Sequence, residues 1–390
     1  MLNVVPAAIF HARACNRRII MSKDLSIVVN GLKFENPFVI GSGPPGTNKA
    51  TILKAFREGW GGVVAKTCSL DASKVHNVAP RYGKLYSRVN KEVIGFQNIE
   101  LISDMSIEDW IRDFKEIKAE FPKGILIASI MEEYDKAAWQ KLVIMCQDAG
   151  VDAFELNFSC PHGLPERKMG AAMGENPDIV AEVTKWVTDV ATIPVWAKMT
   201  PNVTDVNVPS FKAIEAGAHG ISLINTILAV IGVDLDTLRP LPTVKGYSTY
   251  GGYSSQAVRP IALRHASKLA KALKDAKMNH ISVSGMGGVE KSSDAIEFML
   301  LGSHTVQSCT GPMLQGYKMV HELKAGLEAF MVKHNFNKLE DFIGHSLQYF
   351  TTHAHLNELK QGKFEAKEIS KDSQWSGDNI DKQTNDLATN

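Results

Sequence analysis

Apolar runs recur along the chain, and nearly every one is followed by a stretch of helical period. "IVVNGLKFENP", Ile27 to Pro37, places two short apolar runs on either side of Asn30-Gly31, a pair that favours the tight turn of a β-hairpin. Eight strand-like runs come next. "FVIGSG" leads into a helix over 49–58, and "GVVAKT" into a long irregular stretch and a helix over 107–120. "GILIASI" precedes a helix over 134–149, "DAFELNF" a polar loop and a helix over 177–190, and "PVWAKM" a helix over 208–216. "GISLIN" leads through a long loop to a helix over 259–273, "HISVSG" to one over 292–300, and "HTVQSC" to one over 317–333.

Strands buried on both faces read as continuous apolar runs, which is how strands of a parallel sheet read. Eight such strands alternating with eight helices predict a closed (β/α)8 barrel, the TIM-barrel form of the α/β class, over an open doubly wound sheet. The expected organisation is a transit segment or disordered start over 1–22, a barrel with its amino-terminal hairpin over 23–355, and an irregular polar tail over 356–390. A barrel of this kind carries its chemistry at the carboxyl ends of its strands. Ser42, Lys66 with Thr67, Asn157 with Cys160, Lys198 with Thr200, Asn225 with Thr226, Gly287 with Gly288, and Cys309 with Thr310 all fall there.

Composition narrows the partners. The chain has 390 residues, 44% of them hydrophobic, which is enough for a large core. Its 43 basic and 42 acidic residues nearly cancel, so it lacks the basic surplus of a general nucleic-acid binder, and small molecules are the expected partners. The cysteines Cys15, Cys68, Cys146, Cys160 and Cys309 show no paired spacing of a zinc or iron–sulfur site, so neither a metal nor a cluster is expected. No run reaches the roughly 18 to 20 apolar residues of a membrane span. Before Asp24 there is no acidic residue, while Arg13, Arg17 and Arg18 lie among apolar ones. That bias predicts import into a plastid or mitochondrial matrix; the alternative is a cytoplasmic protein initiated at Met21.

The strand exits hold distinct chemistries. "GMGGV" and "CTG", Gly285–Val289 and Cys309–Gly311, follow the last two strands, where glycine-rich turns expose backbone N–H groups to an anion; each can equally be an ordinary tight turn. Lys66 and Lys198 end the runs "VVAK" and "VWAK", and a cation there either snorkels to solvent or tunes the electronics of a bound ring such as a flavin. Cys160 ends a strand just before Pro161, which cannot continue a ladder. Alone it reads as a small hydrophobe, but between Asn157, Ser159, His162 and Gly163 it reads as a protonated thiol able to act as general acid. Asn98, Asn157 and Asn225 with Thr226 offer the donors and acceptors that a flat ring of alternating C=O and N–H groups requires.

"NFSCPHGLPERKMGAAMG", "AKTCSLDASKV", "GFQNIELIS", "AKMTPNVTD", "YGGYSSQAVRPIAL" and "SGMGGVEKSSDAIEFMLLGSHTVQSCTG" together resemble the flavin domain of the dihydropyrimidine dehydrogenases, in particular the short single-domain plant type, with its ending "HSLQYFTTH". The likeness runs from Asp24 to about His353. It implies an FMN-dependent reduction of uracil and thymine to their 5,6-dihydro forms, the first step of pyrimidine breakdown. Carried over by motif, Cys160 protonates ring C5 while hydride from reduced FMN reaches C6. Asn98, Glu100, Asn157, Ser159, Asn225 and Thr226 hold the pyrimidine. Ser42, Lys66, Thr67, Lys198, Gly251, Gly252, Gly287, Gly288, Cys309 and Thr310 hold FMN, the last four at its phosphate. Longer members bring NADPH electrons through FAD and iron–sulfur clusters, for which this chain has no cysteine motif. Nor does it show G-x-G-x-x-G after a strand, so NADPH reduces FMN directly or a separate reductase does. A homodimer is expected.

Two rival readings remain at the level of sequence. Dihydroorotate dehydrogenase of the cysteine-base class resembles this chain in barrel, flavin and cysteine, but its ring bears a carboxylate and its cysteine loop continues Ser-Cys-Pro-Asn where His162 stands here. The other is a catalytically silent barrel serving as subunit of a larger complex.

Overall fold

The computed structural model describes residues 23–160 and 169–361. The segment 1–22, most of the loop after Cys160 (161–168), and the end of the tail therefore lie outside the described residues, and with them the transit segment and His162. The chain divides into two units after Leu347.

In the first unit eight strands close a parallel barrel in chain order: β1 (Phe38–Ile40), β2 (Gly62–Val64), β3 (Ile125–Ile130), β4 (Ala153–Phe158), β5 (Val195–Met199), β6 (Gly220–Leu223), β7 (Ser282–Met286) and β8 (Thr305–Ser308). β8 returns to pair with β1, so no edge is left open. After each strand, in order, comes a helix of the outer ring: α1 (Lys49–Glu58), α2 (Ile107–Glu120), α3 (Lys136–Asp148), α4 (Pro177–Thr188), α5 (Asn207–Glu215), α6 (Arg259–Asp275), α7 (Ser292–Leu300) and α8 (Met319–His334), with a further short helix before α4 (Ala171–Gly174) and before α8 (Thr310–Gln315). Local chemistry sets their starts and stops. Asn48 and Thr51 form a capping box on α1, and Gly59 ends that helix at φ +94°, a conformation closed to most side chains. Asn176 caps α4 just before Pro177, the one position where a helix tolerates proline well.

Side chains alternate across each strand. On β4, Phe158 packs outward on Trp139 of α3, with ring centroids 6.3 Å apart, while Glu155 and Asn157 point inward. The amino end of the barrel is closed by the hairpin Ile27–Val29 and Leu32–Phe34, paired as expected. Its turn puts Asn30 and Gly31 at φ +49° and +83°. Asn30 Oδ1 accepts from Trp196 Nε1 at 2.8 Å and Ser282 Oγ at 2.6 Å, and Phe34 stacks on Trp196. With that end plugged, the opposite end is the open one.

Two features correct the sequence-based expectation. The stretches after β2 and β6, expected to be irregular, supply a four-stranded antiparallel sheet in the order Ile227–Ala229, Gly251–Ser254, Val93–Asn98, Tyr82–Tyr86. Its two halves lie far apart in sequence, Gly252 pairing opposite Asn98, so the sheet as a whole is not announced by a local period. The tail expected from residue 356 is not irregular at its start: in the second unit His353–Lys360 is helical, with Thr352 Oγ1 accepting from the His355 N–H at 3.2 Å.

Candidate active site

A cavity opens at the carboxyl ends of the barrel strands. Barrel residues supply its floor: Gly41, Ser42 and Gly43 after β1, Lys66 and Thr67 after β2, Asn157 and Cys160 from β4 and its exit, and Lys198 from β5. Asn225 and Thr226 follow β6, Gly287 and Gly288 follow β7, and Gln307 through Gly311 run from β8 into the short helix Thr310–Gln315. The inserted sheet and the turn beside it add Tyr82, Phe96, Asn98, Glu100, Tyr253 and Ser254 as a wall.

The floor is a hydrogen-bonded network. Asn157 Nδ2 donates to Thr67 Oγ1 at 2.9 Å, and Thr67 Oγ1 lies 2.7 Å from Ser129 Oγ and 3.3 Å from Ser42 Oγ. Asn157 Oδ1 accepts from the Ser159 N–H and hydroxyl, at 3.1 and 3.0 Å. Asn225 Nδ2 donates to both oxygens of Ser159 at 2.8 Å, and Asn225 Oδ1 accepts from the Thr226 N–H. The two amides are thus fixed in orientation before any ligand arrives, which removes an ordering cost from binding.

Both lysines have counter-ions. Lys66 Nζ lies 2.8 Å from Glu100 Oε1, which also holds Arg81 at 2.9 Å. Lys198 Nζ lies 3.4 Å from Glu155 Oε1 on the neighbouring strand. Burial pushes the Cys309 thiol up to about 11, although Lys198 and Lys66 oppose that rise, so at neutral pH it is uncharged. Tyr82 is held above the ordinary phenol value by burial and by the adjacent Glu100.

Cys160 is buried on the cavity wall beside Ile102, Met131 and Met169, and its carbonyl accepts from the Ala171 N–H. Ser159 is fully buried and acts on Asn157 and Asn225 from behind the surface. Thr200 is buried beside Asn202, outside the lining. Gly251 and Gly252 also lie outside the lining, in the inserted sheet, where a Cβ on Gly252 would meet Thr226 and Asn98. Sequence reasoning missed Glu155, Gln307, Tyr82 and Tyr253. The signal for Glu155 was available: a carboxylate inside "DAFELNF" cannot be buried without a partner.

A family model described as dihydroorotate dehydrogenase matches residues 24–331. The chain belongs to that family. It is therefore an oxidoreductase of a dehydrogenase family with a closed (β/α)8 barrel, as the sequence motifs implied. Among its relatives is the chloroplastic dihydropyrimidine dehydrogenase (NADP(+)) of Arabidopsis thaliana, 54% identical over 376 residues, covering 94% of this chain and 88% of that one. The NAD-dependent dihydropyrimidine dehydrogenase subunit PreA of Escherichia coli K12 is 37% identical over 324 residues, 83% of this chain and 77% of its own. The catalytic subunit of dihydroorotate dehydrogenase B (NAD(+)) of Pyrococcus abyssi is 33% identical over 326 residues, 83% and 99% of the two chains. No helix among the described residues is long and apolar enough to cross a membrane.

Proposed function

We propose that this protein reduces uracil and thymine to their 5,6-dihydro forms using FMN, with NADPH as the source of electrons. The observation that carries the reading is convergence: Cys160, the amides of Asn98, Asn157 and Asn225, and the ammonium groups of Lys66 and Lys198 line one cavity with the Gly287-Gly288 turn.

The residues present fit FMN. Gly287 and Gly288 stand at φ +132° and +71°, and a Cβ on Gly288 would meet the Ser255 carbonyl at 2.8 Å, so only glycine fits this turn against the start of α6, and its backbone lies on the cavity lining with Cys309 and Thr310, where it would hold a phosphate. Gln307 Oε1 is buried on the lining without a hydrogen-bond partner, an acceptor left for a ligand donor. Ser42, Lys66, Thr67 and Lys198 would hold the ring system, with Gly251 and Gly252 acting from behind the wall. Bound FMN supplies a hydride to C6 of the pyrimidine.

The chain's own groups do the rest. The Asn157, Asn225 and Asn98 amides, with Thr226 and Glu100 beside them on the lining and Ser159 behind, orient the ring's C=O and N–H groups. The Cys160 thiol carries the proton for C5: the S–H bond breaks as the C5–H bond forms, and the thiolate left behind regains a proton from solvent. Ile102, Met131 and Met169 pack beside Cys160.

Pairing of both lysines with carboxylates favours a neutral ring over one bearing a carboxylate, since Glu100 in the lining and Glu155 buried on β4 already answer those charges. The reading includes a homodimer, a plastid location as in the Arabidopsis relative, and NADPH acting directly or through a reductase; the subunit status of the E. coli relative supports the latter route.

Purified protein should be yellow and bleach on anaerobic mixing with NADPH, alone or after addition of cell extract, and uracil should then restore the colour. A colourless preparation that refuses added FMN overturns the proposal.

A further inference from the structure

The middle of this barrel is polar where most barrels of this form pack branched aliphatics. Glu155 is fully buried. Its Oε2 accepts from Gln307 Nε2 at 2.8 Å, and the same Nε2 lies 3.1 Å from Ser284 Oγ and 3.4 Å from Ser222 Oγ. Its Oε1 makes no hydrogen bond and faces Lys198 Nζ at 3.4 Å. A carboxylate without solvent is costly unless something compensates it. Among the described residues that compensation is one amide and one ammonium, and the ammonium lines the cavity floor.

We propose that Glu155 is a positioning residue that keeps Lys198 charged in both redox states of the bound flavin. This deepens the preceding reading and rests on it. With a permanent counter-ion, Lys198 neither gains nor loses a proton when the flavin changes charge. Reduction then takes up two electrons and one proton, FMN + 2e⁻ + H⁺ → FMNH⁻, the electrons coming from NADPH in turnover or from dithionite in a titration. Without Glu155 a buried ammonium has no counter-ion and sheds its proton while the flavin is oxidised. It recovers that proton when the reduced ring becomes an anion, so the variant takes up two electrons and two protons. The other charged or titratable groups of the same lining are Lys66 with its partner Glu100, Glu290 with its partner Ser255, Tyr82, Tyr253, Cys160 and Cys309, and the substitution leaves each of them in place. Gln307 holds Glu155 in place through the hydrogen bond from its Nε2.

The test is the pH dependence of the midpoint potential of protein-bound FMN, read by spectroelectrochemical titration with dithionite across the neutral range. Glu155→Gln removes the charge and keeps the shape. Its slope of potential against pH should be twice the wild-type slope, and the double variant Glu155→Gln with Lys198→Met, which has neither group to titrate, should return to the wild-type slope. Equal slopes in wild type and Glu155→Gln overturn the proposal, as does a doubled slope that persists in the Lys198→Met background. If Glu155→Gln does not fold, Gln307→Leu decides: it frees Glu155 from its anchor and should steepen the slope, and an unchanged slope overturns the proposal. Failure of the wild-type protein to bind FMN would overturn the function proposed above, and with it the basis of this inference. Intact FMN binding and uracil turnover with unchanged slopes would remove this inference alone.

Discussion

Lys66 and Lys198 end similar apolar runs and reach the same cavity, yet their counter-ions come from different parts of the molecule. Lys198 is matched by Glu155, one strand away in the barrel, in a register set by the parallel ladder. Lys66 is matched by Glu100, which follows the inserted strand Val93–Asn98 and is shared with Arg81. One pair is internal to the barrel. The other ties the barrel to the sheet that walls the site. The barrel side therefore supplies fixed electrostatics and the inserted side supplies shape, and the two halves should respond differently to substitution.

The largest effect is expected on the barrel side. Cys160→Ala should lower uracil turnover by roughly a thousandfold, as removal of a general acid does, while the flavin spectrum persists. A rate within a few fold of wild type would take the proton-donor role from this thiol.

The shared ion pair comes next. Glu100→Gln leaves Lys66 without its carboxylate, a loss of about 3 kcal/mol for a buried pair broken on one side. Lys66→Met should cost clearly less, because Glu100 keeps Arg81. Urea unfolding of the two variants measures the asymmetry, and equal losses would mean that Arg81 does not share the charge.

Asn98 tests the wall more gently. Asn98→Ala should raise KM for the pyrimidine about tenfold, the worth of one hydrogen bond, and change kcat less. A fall in kcat alone would place Asn98 among groups acting only in the transition state.

The smallest effect concerns Cys309. Burial raises its thiol from an ordinary 9.0 to about 11, so the folded state favours the neutral form. That contribution is full below the ordinary value and is lost as pH climbs through about 11. In alkaline urea titrations, wild type should lose more stability than Cys309→Ser over that window; parallel curves would show that the thiol titrates as it does in the unfolded chain.

Much of the fold was legible because each barrel strand announces itself locally. A parallel strand under helices is apolar on its outward face, and a helix repeats every 3.6 residues, so "GVVAKT" and the 49–58 helix can be read without knowing their neighbours. The rim was legible for the same reason: Lys66, Cys160, Lys198 and Gly288 sit where runs end, and the end of a parallel strand is the end that faces the site. The inserted sheet was not. Tyr82–Tyr86 and Val93–Asn98 are rich in strand-forming residues about a turn at Asn90-Lys91, but their stability comes from pairing with Gly251–Ser254, some 150 residues on.

What the sequence by itself determined is the order of elements and the kinds of group that gather at one rim, since both follow from local period and from where each run stops. What only the tertiary structure decided is which charges meet. That Glu155 answers Lys198 through β4 and β5, that Glu100 crosses from the insertion to Lys66, and that Ser159 locks two amides from beneath depends on distances of a few ångströms between segments far apart in the chain. Electrostatic and hydrogen-bond energies fall off over such distances, so they are set by closure of the barrel and cannot be read along the chain.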